Sequence, residues 1–405
     1  MNAEQNNIKR QELVKVSPLA EFMIFLLFAL GPLTGNVILV LFGVLSAEFS
    51  VLPSELLITI PAFMFPFALV QLFSGAISDV KGRYPVILIG LLIFGAGMIL
   101  ASLSFSLIVF ILANILGGIG FGFVNPVLIA LLTDITPGPK ISKKIGLLGA
   151  VANLGVGIGP LLAGQIINIG WRYLYLIFLS ITVLGILIIF TLRKNQSVVK
   201  SDDGIRTFFS HLAQEIRRLP VILLVISAFL LSHTSTATVI WTSRSFTHVI
   251  PEAISGIVIA LFGIMGFIAG ILTGFTIKNK GVNLALIIGL ISLFIANIIL
   301  VLFGNNSFEA LPFTSLGLLF MGFAGGILIT LVMFYSQTLS KERRGALAGL
   351  TTAFLFIGIA FVPTTLEPFF NSGGISLVYI VILVISTILL VVLILLYKFA
   401  KKVSS

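Results

Sequence analysis

The feature that most constrains this chain is a recurrence of apolar stretches of roughly 20 residues, most of them separated by short polar turns. A helix of about that length crosses the ~30 Å hydrocarbon core of a bilayer, and a soluble domain has no reason to repeat it. Composition agrees with a membrane setting. Of the 405 residues, 58% are hydrophobic and only 9% charged, with a mean hydropathy of +1.20. That is too little charge to cover a soluble surface. The first run, near 19–45, is too long for the apolar region of a signal peptide and lacks a small-residue cleavage site. Further spans are expected near 55–77, 85–104, 107–133, 144–166 and 172–192, then 220–243, 253–277, 284–303, 312–338, 345–367 and 375–397, twelve in all.

The net charge of +10 could point to nucleic acid or to a membrane surface, and position decides between them. If the spans alternate from an inside N-terminus, 22 of the 24 basic residues fall on the inner side. Only Arg172 and Arg244 fall outside. Cytoplasmic segments of membrane proteins carry such an excess. The expectation is a multi-pass protein of the plasma or inner membrane with both termini cytoplasmic, and no nucleic-acid partner. The chain has no cysteine, so no disulfide, thiolate metal site or cysteine nucleophile is available.

The expected organisation is a first half at 1–192, a linker at 193–219 and a second half at 220–405. In the linker, Ile205, Phe208, Phe209, Leu212, Ile216 and Leu219 recur at helical spacing, and Asp202 and Asp203 stand where an N-cap belongs. Arg206, Arg217 and Arg218 lie off that apolar face. Two readings stand: an amphipathic helix on the membrane surface, or a helix packed on the inner helix ends. The halves also repeat. Gly75-Ala-Ile-Ser-Asp79-Val-Lys81-Gly82 returns 199 positions on as Gly274-Phe-Thr-Ile-Lys278-Asn-Lys280-Gly281, and Pro160 returns as Pro363, 203 positions on. Two matches at nearly one offset point to parallel repeats.

Two motifs carry a family resemblance. Gly75-Ala-Ile-Ser-Asp79-Val-Lys-Gly82-Arg83 resembles the signature loop between the second and third helices of the major facilitator superfamily. The resemblance implies an all-α membrane fold of twelve transmembrane helices in two pseudo-repeated six-helix halves. It also implies a gating role: Gly75 for close helix approach, Gly82 for the turn, Asp79 as acceptor for helix N-terminal amides, and Arg83 paired with a carboxylate, best Asp134. Val80 stands where the family usually has a basic residue. The second motif, Gly149-Ala-Val-Ala-Asn153-Leu-Gly155-Val-Gly157-Ile-Gly159-Pro160-Leu-Leu-Ala-Gly164, resembles the glycine-rich fifth helix of the superfamily's antiporters. Gly155 and Gly159 form a small-xxx-small face, and Pro160 removes a helical hydrogen bond. This face is expected to pack across the halves on Gly266, Gly270 and Gly274 of the eighth span. Ordinary membrane-helix packing uses the same residues.

A third family motif is altered. Drug exporters of the family carry a buried arginine and a glutamine–glycine pair in the fourth helix, where this chain reads Asn114-Ile-Leu-Gly117-Gly118. Glu21, Glu55, Asp79, Asp134 and Glu367 all fall near span ends, so no mid-membrane carboxylate is expected as proton carrier. By the resemblance, the first, fourth, seventh and tenth helices line a cavity. They offer Asn36, Asn114, Asn125, His233 and Tyr335 as substrate-binding candidates. His233, near the middle of its span, either titrates as a coupling group or bonds a neighbouring helix as a neutral ring.

The expected function is a secondary active transporter working by alternating access. It would export small amphipathic compounds in exchange for protons, as do the twelve-helix drug:proton antiporters it resembles. The alternative is a facilitator or importer of an uncharged metabolite without proton coupling. No phosphate loop, metal-spaced histidine set or catalytic serine–histidine–acid set appears, so neither an enzyme nor a cofactor or metal is expected. The expected partners are a small-molecule substrate, membrane lipid and, where transport is coupled, protons; a monomer is expected.

Overall fold

The computed structural model describes residues 18–136, 138–193, 213–340 and 344–404. The expected linker helix falls mostly outside the described residues. The helices in chain order are α1 (Pro18–Asn36), α2 (Ile38–Phe49), α3 (Thr59–Lys81), α4 (Arg83–Ser102), α5 (Leu107–Asp134), α6 (Gly138–Ile166) and α7 (Arg172–Arg193). They continue as α8 (Leu219–Phe246), α9 (Glu252–Lys280), α10 (Val282–Phe303), α11 (Leu311–Thr338) and α12 (Arg344–Ser404). Among the described residues, eleven helices are long and apolar enough to cross a membrane. The last is broken at Gly374 (φ 64°, ψ −160°), a conformation that glycine alone adopts readily, and is long enough for two spans. That makes twelve.

Helix ends follow from local chemistry. The Ser106 side chain accepts from Val109 N and caps α5. Pro220 and Pro312 stand in the first turns of α8 and α11, where a missing N–H costs nothing. Gly82 (φ 95°) makes the sharp turn between α3 and α4, and Gly281 (φ 85°) repeats it between α9 and α10. The first span is interrupted at Val37. Pro32 removes one backbone donor, and the Asn36 side-chain amide donates to Pro32 O at 2.7 Å, so two successive turns are disturbed. The chain resumes as α2 through a tighter Val40 N–Val37 O bond. The loop expected at 368–374 is helical instead, and α12 continues through Pro368 to Gly374.

Both described ends of the chain lie at one end of the bundle, here called the terminal face; the opposite end is the far face. Packing repeats between halves. The α3–α5, α4–α5 and α1–α6 contacts of the first half return as α9–α11, α10–α11 and α8–α12 in the second. Two pairs carry the seam between halves, α6–α9 and α3–α12.

The seam is unequal along its length. One apolar core takes in the first half and the far-face ends of the second, including Trp241, Val258, Leu318, Leu366 and Tyr379. A separate core lies in the second half toward the terminal face, with Leu224, Leu286, Leu328 and Leu393. Among the described residues, Leu72 is the one first-half apolar side chain packed on it. The halves are therefore fused by hydrophobic packing at the far face and are nearly independent at the terminal face.

Candidate functional site

The terminal-face turn between α3 and α4 holds a compact charge cluster. Arg83 opens α4, one residue after the Gly82 turn, so its side chain reaches back along α3 and across to the end of α5. Its guanidinium pairs with Asp79, donates from Nη1 to Ser78 Oγ at 2.6 Å, and from Nε to Asp134 Oδ2 at 3.1 Å. Asp79, Arg83 and Asp134 thus come together, with Ser78 added. Nothing in the sequence marks Ser78 beyond its place inside the motif. All four residues belong to the first half. Gly75, expected to permit close helix approach, has nothing within 4 Å of where a Cβ would stand. No helix is close enough there to need a glycine.

The α6 glycines divide between two partners. A Cβ on Gly155 would lie 2.9 Å from Pro32 Cβ and 3.0 Å from Ala29 O, and one on Gly159 would lie 2.5 Å from Leu33 O. Both face α1 inside the first half, and the expectation that they pack across the halves is corrected. The cross-half contact is made by Gly157, whose Cβ would lie 2.9 Å from Ala260 O and 3.1 Å from Gly263 Cα. Gly164 joins it, packed on Glu252 O and Ala253. The reason is helical phase. At 100° per residue, position 157 points about 200° away from 155 and 159, onto the opposite side of the helix. Pro160 lies on the seam too, because its carbonyl meets Gly256.

On α9 the seam runs through Gly256, Ala260 and Gly263 and on to the expected Gly266 and Gly270, but does not reach Gly274. Gly266 and Gly270 face Asn153, which donates from Nδ2 to Gly266 O at 3.4 Å. Gly274, Gly146 and Gly149 have nothing within 4 Å. Gly345 and Gly349 on α12 are equally bare. Each of the four seam helices is thus bare toward the terminal face, and crowded or ring-stacked toward the far face. On α3 and α12 the far-face contacts are aromatic, Phe65 on Phe361 and Phe67 on Phe356 with ring centres 5.6 and 4.2 Å apart. At the far face Ser243 Oγ donates to Leu39 O across the halves, and Gly43 of α2 sits against Glu252 and His248.

Among the described residues, the five substrate-binding candidates bond elsewhere or not at all, and no hydrogen bond links any two of them. Asn36 and Asn114 donate to carbonyls of their own helices, Pro32 O and Phe110 O at 2.7 and 2.8 Å. His233 is buried on α8, its Nε2 3.0 Å from Thr365 Oγ1 on α12 and its ring edge-on to Phe229. That is the neighbour-bonded arrangement of a core histidine. Among the described residues its Nδ1 has no partner, nor have Asn125 Oδ1 and the Tyr335 hydroxyl, all three buried. Gln71 Nε2, a donor that the sequence reading passed over, is unpartnered as well. An unmatched buried polar atom costs about 1–3 kcal/mol, so these atoms are poised for a ligand or water. Most acidic side chains stay near helix ends, but Glu367, expected at one, lies inside α12 about two turns before Gly374. Glu21 pairs with Lys144 at 2.7 Å and Glu48 with Arg172 at 2.7 Å, while Glu367 acts on Arg244 near the far face.

Residues 24–363 match the family model described as Major Facilitator Superfamily. The chain belongs to that superfamily. Membership of the Major Facilitator Superfamily makes it a multi-pass membrane transporter of small molecules. Among curated proteins it is 25% identical to the "Quinolone resistance protein NorA" of Staphylococcus aureus (strain COL) over 377 residues, covering 90% of this chain and 94% of that one. It is 24% identical to "Multidrug resistance protein 2" of Bacillus subtilis (strain 168) over 314 residues, covering 73% and 76%. Among solved structures, the human organic anion transporter MFSD10 (TETRAN) aligns with a TM-score of 0.66 at 16% identity, covering 93% of this chain and all of that one. At that identity the likeness shows the major facilitator fold alone.

Proposed function

We propose that this superfamily member is a secondary active exporter of small amphipathic compounds, working by alternating access and exchanging substrate for protons. The observation that carries the reading is the unequal seam. The halves are joined at the far face and parted at the terminal face, where six glycines on the four seam helices stand bare. By the distribution of basic residues, the terminal face is cytoplasmic. The conformation is then open inward, and substrate would enter from the cytoplasm. The halves correspond to 1–192 and 220–405, with 193–219 as the tether between them. The drug-resistance names of its bacterial relatives favour export of drug-like molecules. The unpartnered Asn125, Tyr335, His233 and Gln71 atoms, set among phenylalanines, suit neutral or weakly cationic amphiphiles better than strong acids.

One observation favours the second reading, a facilitator of an uncharged metabolite. Among the described residues, every carboxylate except Glu367, two turns before the break at Gly374, lies near a helix end, and His233 is already bonded to Thr365. The deciding experiment uses purified protein in proteoliposomes, with a panel of amphiphilic cations, quinolones and neutral metabolites. Exporter function predicts substrate movement against its gradient when a pH gradient is imposed, and none without protein. Downhill movement of a neutral metabolite, indifferent to the pH gradient, would establish the facilitator instead.

A further inference from the structure

Away from the seam, the far-face rim of the first half holds a pocket of about 440 Å³, mostly apolar in its lining but holding the Glu48–Arg172 ion pair. That lies within the ~300–1,000 Å³ range of small-molecule sites. It is lined by Glu48, Ser102, Leu103, Trp171, Arg172 and Tyr173, among others. Three span ends build it. Glu48 is in the last turn of α2, Ser102 ends α4 and Arg172 begins α7. Span ends are the level at which lipid headgroups sit, and aromatic and basic residues anchor there.

The polar groups are only partly spent. Arg172 Nη2 donates to Glu48 Oε1 at 2.7 Å and to Ser104 O at 2.9 Å, and the guanidinium lies 4.4 Å over the Trp171 ring. A guanidinium has five donors in a fixed fork, and among the described residues Nε and Nη1 of Arg172 have no partner. The Trp171 indole N–H, itself buried, is also unpartnered. Among the described residues the second Glu48 oxygen has no partner. Of the lining, Leu103 is 69% exposed, and Phe105 and Ile169, close to lining residues in the sequence, are 79% and 73% exposed. Apolar side chains this exposed suit acyl chains better than water.

We propose that this pocket binds one phospholipid with a phosphoethanolamine headgroup. The phosphate is taken by the free edge of Arg172, and the primary ammonium donates to Glu48. A planar fork matches phosphate geometry. The carboxylate selects a headgroup that has N–H donors, which a quaternary ammonium lacks. The occupant is a lipid because the strongly exposed apolar side chains stand at span ends, where chains attached to the headgroup would run.

The test is native mass spectrometry of the full-length protein in mild detergent, with added phosphatidylethanolamine, phosphatidylcholine and phosphatidylglycerol of matched chains. Wild type should retain phosphatidylethanolamine several-fold better than phosphatidylcholine. Glu48→Gln should erase that preference while leaving phosphatidylglycerol bound. Arg172→Lys, which keeps a charge for Glu48 but loses the fork, should lower retention of all three several-fold. A thermal melt of each variant checks the fold, and the wild-type comparison of lipids stands without either variant. Equal retention of ethanolamine and choline lipids by the wild type would overturn the proposal. So would unchanged retention in both folded variants. Displacement by chain-free glycerophosphoethanolamine at concentrations matching the lipid would also overturn it, because the site would then be one for a soluble ligand.

Discussion

Gly157 and Gly149 lie about two turns apart on α6 and meet opposite surroundings. The first touches α9 backbone, and the second touches nothing within 4 Å. Gly157→Leu must push two helices apart, and overpacking of this kind typically costs about 1–3 kcal/mol. It should lower the melting temperature and the folded yield. Gly149→Leu should melt as the wild type does, yet lose most transport, because the added side chain would block closure of the terminal face. Equal melting of the two variants would contradict the assignment of the seam. Asp79→Asn should likewise impair transport more than folding. It removes one anion from the Arg83 cluster at a partly exposed site, where an ion pair contributes roughly 0–1 kcal/mol to stability. A transport rate equal to wild type would remove Asp79 from the mechanism. His233→Gln keeps polarity and can still bond Thr365, but cannot titrate. If His233 carries the coupled proton, the variant binds substrate and loses pH-driven transport; full pH-driven transport would exclude it. The histidine was legible as a mid-span oddity. Its partner was not, because Thr365 lies 132 positions away and nothing in the sequence sets their contact.

At the level of helix pairs, the antiparallel register makes a sharper demand. Gly157 faces Gly263. Eleven residues toward the terminal face on each helix lead to Gly146 and Gly274. Eleven residues are close to three full turns, so both positions return to the same face. These two bare glycines are therefore the pair that would meet if the seam closed. Cysteines introduced at both, in a chain that has none of its own, should cross-link poorly at rest. They should cross-link well under a substrate or proton gradient that favours the opposite state. An identical yield under all conditions would count against alternating closure at α6–α9. The helices themselves were readable from hydropathy and charge to within a few residues at most ends. The side of α6 that forms the seam was not. Gly155, Gly157 and Gly159 present small faces in both directions, and sequence alone does not say which direction holds α1 and which holds α9. Residues 368–374, expected to lie between spans, are helical because a proline can persist inside a membrane helix when neighbours satisfy the freed carbonyl.

Across the whole molecule, the two apolar cores predict a gradient of local stability. The far-face ends of the second half belong to the core of the first half, and its terminal-face ends do not. Hydrogen exchange in lipid nanodiscs should be faster at the terminal-face ends of α3, α6, α9 and α12 than at their far-face ends. Uniform protection along these four helices would mean that the halves do not part as described. The backbone contact at Gly157 adds a mechanical consequence. Side chains can change rotamer to let surfaces slide, but backbone lying directly on backbone has no such freedom, so relative motion there is restricted to rolling. Gly146 lies about 16 Å from that fulcrum at 1.5 Å per residue. A tilt of about 10° would then swing the lever's end by roughly 3 Å, while the axle itself scarcely moves.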